Sequence, residues 1–165
     1  MSKISLRYRQ LKDARRFLEI LLNPNFKYVT VKAKTLRDEE RWLRGCPAKR
    51  RKNQEWNYAI LLDGLVVGAI GIKINQFRKH IGEIGYFVAE EYWGRGITTR
   101  AVRLVEKEAF KKLGITRLEI VMRPENLASE RVAVKSGYRK EGRLKKFDRD
   151  KKGRLRDFWL YAKTL

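Results

Sequence analysis

The 165-residue sequence contains one cysteine and one histidine, too few for chemistry that depends on clusters of either residue. Cys46 has no partner for a disulfide within the chain, and it stands beside Pro47 in a basic stretch that we predict to be a loop. His80 falls at a predicted turn with no partner near it in the sequence, which favours a solvent-facing side chain over a catalytic one. The composition therefore excludes a disulfide scaffold and predicts no metal site.

Long hydrophobic runs are also missing, and the N-terminus does not have the apolar core of a signal peptide. We therefore expect a cytoplasmic protein that does not associate with membranes. A chain of this length can bury one hydrophobic core but is too short for two comfortable ones. The sequence predicts a single domain over residues 1–165.

Acidic residues are scarce relative to basic ones. The chain has 19 Asp and Glu against 40 Lys and Arg, so its formal net charge is +21. Such a charge attracts polyanions, and association with RNA or the ribosome is one interpretation. A solubility surface or adaptation to heat explains the composition equally well, because charged residues also accumulate in heat-adapted proteins.

The clearest pattern runs from His80 to Leu113. Residues 81–89 are rich in β-formers and predict a buried strand. From Ile97 the apolar residues recur about every four positions, which predicts an amphipathic helix, and Gly114 is placed to end it. The segment is therefore a predicted strand, loop and helix in direct succession.

The loop between this strand and helix contains Gly94 and Gly96. Two glycines allow a sharp backbone turn and a close approach to a ligand. The first N–H groups of a helix have no partners within it and carry partial positive charge, so the loop could hold a diphosphate. A plain turn from strand to helix is the alternative.

The rest of the chain predicts further strands and helices. Asp63-Gly64 separates two β-rich runs and indicates a hairpin. The strand predicted over residues 116–122 should lie parallel to the central strand, because a helix connects them. The other predicted features are a strand at residues 4–9, a helix capped by Asp13, a capping box at Thr35 to Asp38 with a second helix, an exposed loop at Lys49 to Lys52, and a final hairpin from residues 138–146 and 155–162.

Three sequence blocks resemble one known family. They are Trp93-Gly94-Arg95-Gly96-Ile97-Thr98-Thr99 at the start of the helix, Asn126-Leu127-Ala128-Ser129 followed by Ser136-Gly137-Tyr138, and the terminal Arg156-Asp157-Phe158-Trp159-Leu160-Tyr161 with the earlier Glu141-Gly142-Arg143-Leu144. Together they resemble the GNAT superfamily of N-acetyltransferases, and the last block is more similar to its Rim-type branch, which includes ribosomal-protein N-terminal acetyltransferases.

The resemblance has two departures. The family's loop is often [QR]-x-x-G-x-[GA], and Trp93 and Thr98 occupy its first and last places here, so only Gly96 fits strictly. Many relatives also place a tyrosine four residues before the second glycine motif, as the acid for the leaving thiolate, and that residue is Ala133 here.

The resemblance implies an α/β GNAT fold, with a mixed, mostly antiparallel sheet of about six to seven strands, a central parallel splayed pair and flanking helices. It implies an acetyl-CoA-dependent N-acetyltransferase without a metal, whose acceptor is a primary amine, most simply a protein N-terminus. Two alternatives stay open, namely a catalytically weak acyl-CoA-binding module on the same fold and an enzyme that acetylates an RNA or small-molecule amine. An oligomer is compatible with all of them.

The resemblance also implies site residues. The acetyl-CoA contacts are expected from Phe87, Val88, Trp93, Gly94, Arg95, Gly96, Ile97, Thr98, Thr99, Asn126 and Ser129. The catalytic candidates are Glu83 as base, Asp148 as second choice of base, and Ser129 as partner of the leaving thiolate. Either carboxylate could instead be an ordinary ion-pair partner, and Ser129 and Asn126 could simply stabilise a helix start.

Overall fold

The computed structural model describes residues 2–29 and 33–165, and these residues form one seven-stranded sheet with four helices. In chain order the elements are β1 (Ile4–Tyr8), α1 (Ala14–Leu21), α2 (Leu36–Arg51), β2 (Glu55–Leu62), β3 (Leu65–Ile74), β4 (Ile81–Val88), α3 (Ile97–Lys112), β5 (Arg117–Met122), α4 (Leu127–Lys135), β6 (Arg139–Arg149) and β7 (Leu155–Thr164). The strand order is β1-β2-β3-β4-β5-β7-β6. Within this described part of the chain, no helix is both long and apolar enough to cross a membrane.

The predicted hairpin joins β2 and β3 as expected. Asp63 and Gly64 have φ values of 49° and 87°, the two positive values that a type I′ turn needs. All neighbouring strands pair antiparallel except β4 and β5, which are parallel as predicted. The mixed sheet of the sequence prediction is therefore confirmed.

The parallel pairing of β4 with β5 is short. Only residues 81–83 of β4 pair with residues 117–119 of β5, although β4 continues to Val88 and β5 to Met122. Over the same lengths β4 keeps its pairing with β3, and β5 keeps its pairing with β7. The two strands therefore diverge and leave a cleft in the middle of the sheet.

Helices cover both faces of the sheet. One face of α3 packs on the larger core through residues that share the predicted helical spacing, including Ala101, Val105 and Ala109. Gly114 follows the end of α3 with φ of 67°, which is the left-handed conformation expected of a helix C-cap. On the opposite face, α1 and α2 pack through Phe17 and Leu43 against a second core cluster.

The prediction of a loop at residues 49–52 was wrong, because α2 continues through Pro47 to Arg51. Cys46 is buried in this helix rather than placed in a loop. The last turn is held by contacts with residues outside the helix: Lys49 pairs with Glu55 at 3.1 Å, and the Arg50 guanidinium lies 3.8 Å from the centre of the Tyr8 ring. Cations also suit a helix C-terminus.

Asp13 does not cap α1 with its side chain, contrary to the prediction. Its carboxylate instead accepts two hydrogen bonds of 2.7 Å from Arg7 and one of 2.8 Å from the N–H of Gln10. These bonds hold the pKa of Asp13 below its usual value although burial acts in the opposite direction. The carboxylate therefore joins β1 to the start of α1. The other capping prediction is confirmed, since Thr35 and Asp38 form a capping box.

A close approach of β3 to β4 predicts that Gly68→Ala is strongly destabilising. A Cβ at Gly68 would lie 2.3 Å from the carbonyl oxygen of Phe87 and 2.9 Å from Cα of Val88, both backbone atoms. We expect a loss of about 3 kcal/mol in the free energy of unfolding, measured by urea denaturation. Gly85→Ala in β4 is the matched control, because a Cβ there meets no atom within 4 Å. An equal loss in both variants would contradict the steric explanation.

Candidate active site

A cavity of about 520 Å³ opens where β4 and β5 diverge. It is lined by the end of β4, the glycine loop, the first turn of α3, one side of α4 and residues 25–29. Every residue predicted to contact acetyl-CoA lies on its wall: Phe87, Val88, Trp93, Gly94, Arg95, Gly96, Ile97, Thr98, Thr99, Asn126 and Ser129. The structure thus brings together blocks that are about 30 positions apart in the sequence.

The glycine loop presents unpaired N–H groups to this cavity. Gly94 and Gly96 have φ values of 73° and 70°, which place the backbone in the left-handed region. The first intrahelical bond of α3 runs from the N–H of Arg100 to the carbonyl of Gly96. Within the described residues, none of the N–H groups from Gly94 to Thr99 donates to another protein group. This arrangement suits an anion such as a phosphate.

Trp93 fastens this loop to the central strand. Its indole Nε1 donates to the carbonyl oxygen of Val88 at 2.6 Å, and its ring lies 5.5 Å from the Phe26 ring. The residue that departs from the family's loop pattern therefore has a structural role, since it holds the loop against the end of β4.

The backbone of Val88 faces the cleft. The N–H of Ala89 donates to Val67 of β3 at 2.8 Å, and successive residues of a strand direct their N–H groups to opposite edges. The N–H of Val88 therefore points toward the space between β4 and β5. By the same alternation the carbonyl of Phe87 turns toward Gly68 of β3. Phe87 and Val88 are the two strand residues expected to contact acetyl-CoA. Val88 directs its N–H into the cleft, whereas Phe87 lines the cavity but directs its backbone groups toward β3.

Four cationic side chains surround the same cavity: Lys27, Arg95, Arg131 and Lys135. All four are exposed, and the Arg95 guanidinium lies 5.4 Å from the centre of the Tyr92 ring. Together with the N-terminus of α3 they make this end of the cleft positive. The sequence had indicated only Arg95, although the spacing of Arg131 and Lys135 by four positions places both on one side of α4.

Asn126 and Ser129 lie at the start of α4. Asn126 caps the helix, because its Oδ1 accepts from the N–H of Ser129 at 3.2 Å. The hydroxyl of Ser129 does not bond to its own helix backbone and instead lies 2.8 Å from the Tyr86 hydroxyl. The Ser129 hydroxyl therefore does not stabilise the start of α4, whereas the Asn126 side chain does cap this helix.

Tyr86 is a site residue that the sequence analysis missed. It lies on β4, lines the cavity, and packs against the core cluster that contains the fully buried Ala133. Burial raises the pKa of Tyr86 to about 12, so the phenol is protonated at neutral pH. Its position between Gly85 and Phe87 in a predicted strand gave no signal beyond ordinary core packing.

The two predicted bases lie outside the cavity wall. Glu83 is exposed, and its neighbour across the parallel pairing is Glu119. Its pKa is nevertheless raised, mainly because the surrounding protein displaces part of the water around the carboxylate; Lys73 acts against the shift, and the charges of Glu119 and Asp148 add to it. Glu83 and Asp148 are therefore close enough for their charges to interact, but the neighbourhood is mixed, since Lys73 pairs with Glu83 across β3 and β4 and Arg117 binds Glu119 at 2.7 Å. In the described residues no group of three acidic, histidine or cysteine side chains is arranged to bind a metal.

Comparison of the sequence with models of known protein families matches it to one family. The model of the acetyltransferase (GNAT) domain matches residues 3–139. The chain is 37% identical over 98 residues to the probable N-acetyltransferase YjcK of Bacillus subtilis (strain 168), a match that covers 58% of this chain and 54% of YjcK. The alignment therefore spans about half the length of that curated relative.

Two solved structures are similar over almost the whole chain. Mycobacterium smegmatis RimJ, solved with CoA-disulfide, has a TM-score of 0.87 at 27% identity, covering 98% of this chain and 81% of RimJ. RimL, the ribosomal L7/L12 alpha-N-protein acetyltransferase solved with coenzyme A, has a TM-score of 0.90 at 19% identity and covers 98% of this chain and 94% of RimL. The similarity to RimL confirms the fold. The match to the family model covers most of the chain. This protein therefore belongs to the GNAT acetyltransferase family, with structural neighbours in its Rim-type branch.

Proposed function

We propose that the chain, as one domain over residues 1–165, is an acetyl-CoA-dependent N-acetyltransferase whose acceptor is a protein N-terminus of the ribosomal type. The observation that carries the proposal is the cleft between β4 and β5, which ends at four cations and at six N–H groups that have no partner among the described residues. This geometry fits a ligand with a phosphate-rich end and an extended, peptide-like arm. Acetyl-CoA has both features, and RimJ and RimL were both solved with CoA.

The diphosphate would lie on the N–H groups of residues 94–99, and Arg131 and Lys135 would add charge to the phosphates. The pantetheine arm would run along the free edge of β4 in the place of the missing strand. Its thioester would then meet Val88, whose N–H can donate to the carbonyl oxygen and stabilise the charge that develops there. Ser129 lies on the facing wall, where its hydroxyl can approach the sulfur.

The acceptor must attack as a neutral amine. An α-amino group has a pKa near 7.7 to 8.0 and is already partly neutral at physiological pH, whereas a lysine near 10.4 needs more help. Glu83 would accept the proton through water, since it lies outside the cavity wall.

Calorimetry with acetyl-CoA, followed by a thiol-release assay with amine acceptors, tests the proposal. We expect binding in the micromolar range and turnover with peptides that carry ribosomal-protein N-termini in preference to the same peptides with blocked N-termini. Binding without turnover on N-terminal peptides, RNA or small amines would favour the acyl-CoA-binding module. Absence of binding at ~1 mM acetyl-CoA would contradict both functions.

The two ends of α3 provide a matched test of the phosphate cradle. Gly96 and Gly114 both have positive φ, of 70° and 67°, and a Cβ at either meets no protein atom within 4 Å. Valine at each position therefore imposes a similar backbone strain, on the order of 1–2 kcal/mol. Gly96→Val should lower acetyl-CoA affinity by at least about tenfold, because its side chain would stand where phosphate must approach, whereas Gly114→Val should not. Equal affinities in calorimetry would refute the cradle.

The acid limb of the pH–rate profile tests the role of Glu83. A base must be deprotonated, so kcat/KM should fall as the pH drops through the raised pKa of Glu83. We expect Glu83→Gln to lower kcat/KM about tenfold to a hundredfold and to remove this limb. Glu119→Gln is the control: it removes a charge that raises the pKa of Glu83, so activity should survive with the limb moved to lower pH. An unchanged limb in Glu83→Gln would transfer the assignment to Asp148.

A further inference from the structure

Two hydroxyl groups meet on the wall of the cavity. Tyr86 Oη lies 2.8 Å from Ser129 Oγ, and its next acceptor is the backbone oxygen of Ser129 at 3.4 Å. The residues belong to different elements, since Tyr86 is on β4 and Ser129 is on the first turn of α4. Their contact therefore joins the two walls between which the thioester would lie.

Ala133 and the Tyr86 ring belong to the same packed region of the core. The alanine is fully buried in the core cluster of α3, α4 and the sheet, and the Tyr86 ring packs against this cluster. The phenol consequently reaches the serine from the strand side, and packing fixes its direction.

The direction of the hydrogen bond decides what Ser129 can do. A hydroxyl carries one proton, so a serine that donates to Tyr86 has none for a ligand. If the phenol donates instead, the serine proton is free to turn into the cavity. A protonated phenol is the species present at neutral pH, and the nearest acceptor to its oxygen is Ser129 Oγ.

We propose that Tyr86 is a positioning residue that donates its hydrogen bond to Ser129 Oγ and thereby directs the serine proton toward the sulfur of the leaving thiolate. The role rests on the proposed acetyltransferase function. In the step it assists, the amine nitrogen bonds to the acetyl carbon, the carbon–sulfur bond breaks, and the electron pair stays on sulfur. The amine proton goes to water or to Glu83. Ser129 stabilises the thiolate by a hydrogen bond and keeps its own proton.

Tyr86→Phe tests the role, because it keeps the ring and removes only the hydroxyl. We expect kcat to fall about tenfold at saturating acetyl-CoA, with the calorimetric Kd for acetyl-CoA changed by less than about twofold. Ser129→Ala should lower kcat by a similar or larger factor. The double variant should be no slower than Ser129→Ala alone, since both changes interrupt one chain of hydrogen bonds. A merely structural role would instead give multiplied losses or a weaker Kd.

Tyr58→Phe is the control variant. The Tyr58 hydroxyl is buried, has no hydrogen-bond partner among residues 2–29 and 33–165, and does not line the cavity, so its removal should leave kcat unchanged. If the wild-type protein is active and Tyr86→Phe has the same kcat, the role of Tyr86 is overturned and the proposed function remains intact. A wild type that binds acetyl-CoA but releases no thiol with any amine would overturn the proposed function and the role together.

Discussion

The pairing of β4 with β5 ends after three residues, and the groups that line the cleft owe their positions to this divergence of the two strands. Each strand keeps a full partner on its other side, β3 for β4 and β7 for β5, so the divergence cannot close by local adjustment. It leaves alternate N–H and C=O groups of β4 without a neighbouring strand, and such groups need a partner when water is excluded. An extended ligand with amide groups can supply those bonds, which explains why the cleft suits an arm such as pantetheine.

Sequence reasoning succeeded where the cause of a structure is local. The turn at Asp63-Gly64, the apolar stripe of α3 and its end at Gly114 each follow from residues within one or two turns of one another. It failed at Lys49 to Lys52, where the run of four cations after Pro47 indicated a loop. The helix persists there because Leu43 and Cys46 are buried against the sheet and because Tyr8 on β1 and Glu55 on β2 contact its last turn.

The same distinction applies to the site. The glycine loop and the start of α4 could be predicted because each block carries its own sequence signal. Tyr86 could not, since its partner Ser129 lies 43 positions away and nothing in a strand pattern distinguishes a hydroxyl that faces a cleft from one that faces a core. The substitution of tyrosine by Ala133 suggested a missing acid. The structure instead shows a phenol that arrives beside the serine from a different element.

The length of β4 constrains how a base can act. Glu83 and Val88 are five residues apart, roughly 16 Å at the rise of a strand, so the carboxylate cannot touch an amine that attacks a carbonyl held at Val88. Gly85 lies between them on the same side of the strand as Glu83, and the space above its Cα is open. A file of water over Gly85 would bridge the distance, and a side chain there would interrupt it. In the proposed mechanism, the open space at Gly85 would therefore matter for proton removal together with the carboxylate of Glu83.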